Sequence, residues 1–270
     1  MGIVLLALSA GVAGGQTPAL VSSAAAAASV PPQPQAPPFK PTLTFGGYVQ
    51  GELDAGAVGD SRFPASDRFF IRRARLTAGG RATPTLTYRL QAEFAGGLGS
   101  ASGVTASMTD AYLEWTKIPR AHIRVGQFKA PFGREWLGAS TQLPTVERSL
   151  ASDRLTVNRQ IGVELFGDAR DGRLGYFGAV VNGNGRNTSV NDNHDFMYIG
   201  RANVTPWRLA NGARLEIGAG AFSSRDTKLS MAKEFGVDST PETSAADNLF
   251  TGRRSGAGLD GHFQSGVWSV

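Results

Sequence analysis

The side chains with most to offer chemically in this 270-residue sequence are its arginines. Of 27 basic residues, only Lys40, Lys117, Lys129, Lys228 and Lys233 are lysine, so 22 are arginine. A planar guanidinium is always charged and grips anions in a fixed, bidentate fork. With 22 acidic residues the net charge is +5, a balance that suits nucleic acid, a membrane surface or small anions without choosing among them. The residues that catalysis or metal binding would need are scattered or missing. His122, His194 and His262 lie far apart and lack metal-ligand spacing. There is no cysteine, hence no thiolate site and no disulfide scaffold. Neither a Gly-x-Ser-x-Gly elbow nor a glycine-rich phosphate loop occurs. Asp110 and Glu114, four apart on a strand, share one face; a charged wall explains them better than a catalytic dyad. The sequence therefore predicts no catalytic residues, no metal, no cofactor and no enzyme.

The elements that position these charges follow a period of two. Leu86, Tyr88, Leu90, Ala92 and Phe94 interleave with Thr85, Thr87, Arg89, Gln91 and Glu93. Side chains alternate faces along a strand, so each such segment has an apolar and a polar face. Ten complete strands are expected, at about 42–54, 67–80, 85–95, 105–116, 121–128, 157–167, 173–182, 195–205, 213–223 and 255–263, with an eleventh starting near Val267. Their connections alternate strictly between long and short. The short ones carry turn chemistry, as in Thr83-Pro84, Ile118-Pro119, Asp171-Gly172 and Asn211-Gly212. In an up-and-down meander this places tight turns at one end and long loops at the other, the pattern of an outer-membrane β-barrel. A soluble sandwich would instead show Greek-key connections. The predicted fold is all-β, an antiparallel transmembrane barrel. Phe69, Phe70, Trp115, Phe128, Phe166, Phe196 and Trp207 lie near strand ends, where interfacial aromatic girdles form.

Three further regions are expected. Residues 1–28 read as an export signal, because an apolar run, Ile3 to Ala13, is followed by small Ser and Ala residues suited to cleavage; the run is too short for a helix that spans a bilayer in ~20 residues. Residues 29–41 form a proline-rich linker. Residues 42–270 are the barrel segment. Within it, loop 129–156 is long and compositionally rich, so it is expected to be functional and to fold inward as a constriction.

Phasing the apolar residues outward turns Arg73, Arg75, Arg89, Arg124, Arg201 and Arg214 into the lumen. The same phasing brings in Glu52, Asp54, Glu93, Asp110, Glu114, Glu164 and Glu216, six basic against seven acidic groups, so mutual neutralisation competes with anion guidance. Arg72 falls on the lipid face unless a bulge or an early rim turns it. Loop 129–156 adds Lys129, Arg134, Arg148 and Arg154 as candidate constriction residues.

FFIRRARL (Phe69 to Leu76), DAYLEW (Asp110 to Trp115), RVGQFKAPFG (Arg124 to Gly133), ERSL (Glu147 to Leu150) and RQIGV (Arg159 to Val163) together resemble the phosphate-selective porin O and P family, in order and in spacing. The resemblance implies a 16-stranded barrel, a homotrimer, an inward third loop and passive uptake of phosphate, polyphosphate or other anions. It also implies guidance by lumen arginines, here Arg73, Arg75 and Arg124, and binding on the constriction, here at Lys129 and Arg134. Residues 135–156 contain no lysine, which favours a broader anion or small-solute pore over a lysine-based phosphate site. Ten to eleven strands of sixteen lead to the expectation of a chain truncated at its C-terminus. The expected location is the bacterial outer membrane, the expected partners are outer-membrane lipid and inorganic anions or small polar solutes, and no nucleic-acid partner is expected. A non-conducting barrel that binds at the surface through loop 224–254, and a secreted soluble β-sheet binding protein, remain as alternative readings.

Overall fold

The computed structural model describes residues 38–54, 68–95, 104–143, 145, 147–188, 190–230, 249–266 and 268–269. The expected signal segment and residues 29–37 of the proline-rich linker lie outside them. The chain divides at Pro38, and the unit from Phe39 onward holds the whole sheet.

That sheet is antiparallel and strictly sequential. Its strands are β1 (Thr44–Asp54), β2 (Arg68–Thr83), β3 (Leu86–Ala95), β4 (Val104–Ile118), β5 (Ala121–Lys129), β6 (Arg159–Ala169), β7 (Leu174–Val181), β8 (Met197–Arg208), β9 (Arg214–Ser230), β10 (Leu249–Ser265) and β11 (Trp268–Ser269). Each pairs only with its neighbours in sequence, and the sheet is open, with β1 and β11 at its edges. The short connections sit together at one end. They close with left-handed residues where tight turns require them: Arg120, then Arg170, Asp171 and Gly172, then Gly212. No helix among the described residues is long and apolar enough to cross a membrane.

Alternation places large apolar side chains on the outer face. Leu113, Val125, Val163 and Val180 form a row in register across β4 to β7, and each is roughly half exposed. A row of this kind would be costly against water over a whole sheet.

Two strands are longer than their sequence suggests. β9 continues to Ser230, and β10 begins at Leu249, inside the stretch 224–254 that reads as one loop. Alternation persists there with polar residues: Ser224 and Asp226 are buried, while Arg225 between them is exposed. The Asp226 carboxylate accepts from Ser224 Oγ at 2.5 Å and from Arg254 Nε at 2.7 Å.

β2 contains a bulge. Gln50 pairs with Arg73 and Gly51 with Ile71, so Arg72 is the extra residue. A bulge changes the phase of a strand. Phe69 and Ile71 face outward before it and Leu76 after it, and Arg72 turns to the polar side. The lipid-facing position that simple alternation assigns to Arg72 is therefore corrected.

The buried core consists of Phe128, Ala130, Phe132, Val157, Ala179, Val181, Met197, Ile199 and Phe222. Ala130, Phe132 and Val157 come from the loop between β5 and β6, and the others from the sheet. The inner face is thus apolar where this loop covers it. Phe132 meets Phe222 edge to face, with ring centroids 5.1 Å apart.

Gly126 in RVGQFKAPFG has a φ of +129°, and a Cβ there would lie 2.2 Å from the Ala111 carbonyl oxygen. Backbone, not a flexible side chain, blocks the position. Gly126→Ala is expected to lower the unfolding free energy by more than about 1 kcal/mol, read as an earlier urea midpoint of the detergent-folded protein.

Candidate functional site

The loop between β5 and β6 carries three short elements: helix α1 (Arg134–Leu137), a 3₁₀ turn (Ser140–Gln142) and helix α2 (Leu150–Leu155). Helices this short do not hold themselves, because their terminal carbonyls and amides lack intrahelical partners. Side chains supply the partners. Lys129, the last residue of β5, donates its Nζ to the carbonyls of Trp136 (3.0 Å), Leu137 (3.2 Å) and Gly138 (2.6 Å). Arg148 Nη2 donates to the Gly138 carbonyl at 2.9 Å, and its guanidinium lies 5.1 Å from the Trp136 ring centroid. Burial lowers the Arg148 pKa, and Arg73, Arg159 and Arg75 add to the effect; an arginine nevertheless stays charged. At the start of α2, Ser149 Oγ accepts from the Ser152 amide at 3.2 Å. Ser149 in turn donates its amide and hydroxyl to Glu135.

Ion pairs tie the loop to the polar face of the sheet. Glu147 accepts from Arg72 Nε at 2.5 Å and Nη2 at 3.1 Å, and from Arg73 Nη2 at 2.7 Å. The bulge at Arg72 makes this possible, since it puts two consecutive arginines on one side. Farther along, Arg75 Nη1 donates to Ser140 Oγ at 3.3 Å, and Arg134 lies 3.5 Å from Glu216 on β9.

Beneath the loop, charges alternate in sign from strand to strand. Arg75 on β2 and Glu93 on β3 are register partners, joined at 2.6 Å. Asp110 on β4 lies 3.6 Å from Arg89 and 2.7 Å from Arg159. Glu114, Arg124 and Glu164 form one transverse row across β4, β5 and β6, with contacts of 3.0 and 2.5 Å. The Arg124 guanidinium is also flanked by Phe166 at 4.4 Å and Tyr112 at 4.6 Å. Arg201 on β8 reaches past β9 to Asp260 on β10 with two bonds of 2.5 and 2.7 Å. Gly218 of β9 lies below that pair, where a Cβ would come 2.4 Å from Arg201 Nη2.

Between loop and sheet lies a cavity of about 490 Å³. Its charged lining is Arg75, Arg89, Arg124, Lys129 and Arg159, with Asp110 the single carboxylate. Tyr48, Tyr112, Ser140 and Thr141 add hydroxyls. Of the candidates drawn from sequence, Arg75, Arg89, Arg124 and Lys129 converge here. Arg73 is buried beside the cavity against Glu147, and Arg201 is held by Asp260. Arg134 leans to Glu216, and Arg148 supports the loop from within. Arg214 is exposed at the short-turn end, in register with Arg208. The side chain of Arg154 lies outside the described residues. Sequence reasoning missed Arg159, because counting alternation from Glu164 places it outward. It also missed the role of Glu147, whose only signal was its place in the ERSL motif.

Among known proteins, the family model for phosphate-selective porin O and P matches residues 48–257. No curated protein matches the chain.

Glu147 is the carboxylate shared by Arg72 and Arg73. A hydrogen bond to a charged group contributes about 1.5–3 kcal/mol, and partial exposure of Glu147 favours the lower end. Glu147→Ala is expected to loosen the loop, with trypsin cutting after Arg148 about tenfold faster, the factor that corresponds to ~1.4 kcal/mol. An unchanged cutting rate would show that the apolar cluster alone holds the loop.

Proposed function

The chain belongs to the phosphate-selective porin O and P family, and on that premise we propose that the polar face of its sheet lines a conduit for inorganic anions of the phosphate class and similar small polar solutes. The family is one of channels, not enzymes, and supports an anion-selective porin of the bacterial outer membrane. The apolar outer face would contact lipid, loop 129–156 would narrow the conduit, and the apolar segment at residues 3–13 would direct export.

The observation that carries this reading is the convergence of Arg75, Arg89, Arg124, Lys129 and Arg159 on one cavity, at whose surface Asp110 is the single carboxylate. Over the whole wall basic and acidic groups nearly balance. At the cavity most of the acids are withdrawn into pairs: Glu93 holds Arg75, and Glu114 and Glu164 hold Arg124. These pairs fix the guanidinium groups in place, so the wall keeps its shape as a solute passes. Arginine forks suit the oxygens of phosphate-like anions, and the hydroxyls of Tyr48, Ser140 and Thr141 can replace part of the lost hydration. Movement would be passive, since favourable contacts at several sites let an ion enter and leave.

Arg89 is the sheet arginine of the cavity least committed to a partner. Its side chain is 43% exposed, and its contact with Asp110 is 3.6 Å. In planar bilayers under a potassium chloride gradient, the zero-current potential is expected to report anion preference. Arg89→Gln should reduce that preference without loss of folding. A preference for cations would overturn the reading.

A further inference from the structure

A second loop reaches the same region. The connection between β7 and β8, residues 182–196, is held by side-chain amides of the sheet. The Asn187 amide donates to Gln127 Oε1 at 2.6 Å, and Gln127 Nε2 donates to Asn187 Oδ1 at 3.2 Å. Gln127 Nε2 also bonds the Met108 and Thr109 carbonyls, both at 2.9 Å, so it is itself fixed. Two residues before Asn187, the Gly185 amide donates to Oε1 of the fully buried Gln160 at 3.0 Å. Gly183, one turn earlier, approaches Met197 and Ser224, which are buried on the inner side. Both residues that flank Arg186 are thus fastened to the sheet.

Arg186 differs from every arginine described at the cavity. Arg75, Arg89, Arg124 and Arg159 each have a carboxylate, and Arg148 is engaged by loop carbonyls. Among the described residues no hydrogen bond or ion pair engages the Arg186 guanidinium, and the residue is exposed. Crowding by protein lowers its pKa, and the charges of Arg159 and Arg75 add to this while Glu93 opposes it. Three like charges within electrostatic reach repel one another, and an anion placed among them relieves that repulsion.

We propose that loop 182–196 is a second wall of the conduit and presents Arg186 as the cation that contacts permeating anions of the phosphate class. Division of labour follows: carboxylate-bound sheet arginines set the shape of the wall, and the uncommitted guanidinium on the pinned loop interacts with the solute. This rests on the reading of the chain as an anion channel and adds a selectivity residue to it.

The test is the zero-current potential of the full chain in planar bilayers under a potassium chloride gradient, repeated with inorganic phosphate as the anion. Arg186→Gln is expected to lower the anion-to-cation permeability ratio about fivefold, the factor one unit charge ~4 Å from a hydrated ion supplies. The side chain is exposed, so folding should be unaffected, and heat-modifiable gel mobility checks this. Arg186→Lys, which keeps the charge, should retain most of the preference. Arg170→Gln, at the short-turn end, should leave it unchanged. An anion-selective parent whose Arg186→Gln variant has the same ratio would overturn this inference and leave the channel reading intact. Equal loss in the Lys and Gln variants would overturn it too, by assigning the effect to loop geometry. A parent without anion preference would overturn the channel reading and this inference together.

Discussion

A guanidinium laid against a β-sheet wall must keep a carboxylate within reach, and the interior of this molecule is arranged around that requirement. Leaving one member of a buried pair alone costs about 3–5 kcal/mol. Cross-strand register meets the need directly for Arg75 with Glu93, and for Arg124 with Glu114 and Glu164. Because neighbouring strands are antiparallel and sequential, partners that sit opposite each other can be 10 to 40 residues apart. Each pair therefore fixes strand register as well as charge.

The same requirement positions the long loop. Arg72 and Arg73 face inward together because β2 carries one extra residue, and among the described side chains of the two neighbouring strands no acid lies as close to both as Glu147 does. The loop brings that acid in, while its own apolar residues cover Met197, Ile199 and Phe222. Lys129, in contrast, spends its donors on the carbonyls that end α1. A residue that stands out in sequence as a binding candidate thus also has a structural duty at the root of the loop.

Periodicity made the strands legible, and turn chemistry made their short connections legible. The inward side of Arg73, Arg75, Arg89 and Arg124 followed from alternation alone. What stayed hidden depends on contacts made over long separations. Arg72 reads as lipid-facing unless a bulge or an early rim turns it, and only the pairing of β1 with β2 shows that a bulge does. Ser224 and Asp226 read as loop because polar residues that extend a strand resemble polar residues that end one. Met197 and Ile199 lie on a face that alternation would make wet, and only the loop above them explains their type. Arg159 and Glu147 sit where the chain passes between loop and sheet, where a period of two no longer assigns sides.

The Arg201–Asp260 pair spans three strands, whereas backbone hydrogen bonds in this sheet join only two. Gly218 lets it pass over β9 without a bond to that strand's side chains. The pair therefore behaves as a bar beneath which β9 must present a residue without a side chain. A slip of β9 by two residues in one direction would bring the Glu216 side chain under the bar. The opposite slip would bring Gly220, which also lacks a side chain. A two-residue misregister of β9 is thus incompatible with the pair in one direction and compatible with it in the other, so the pair constrains register from one side only.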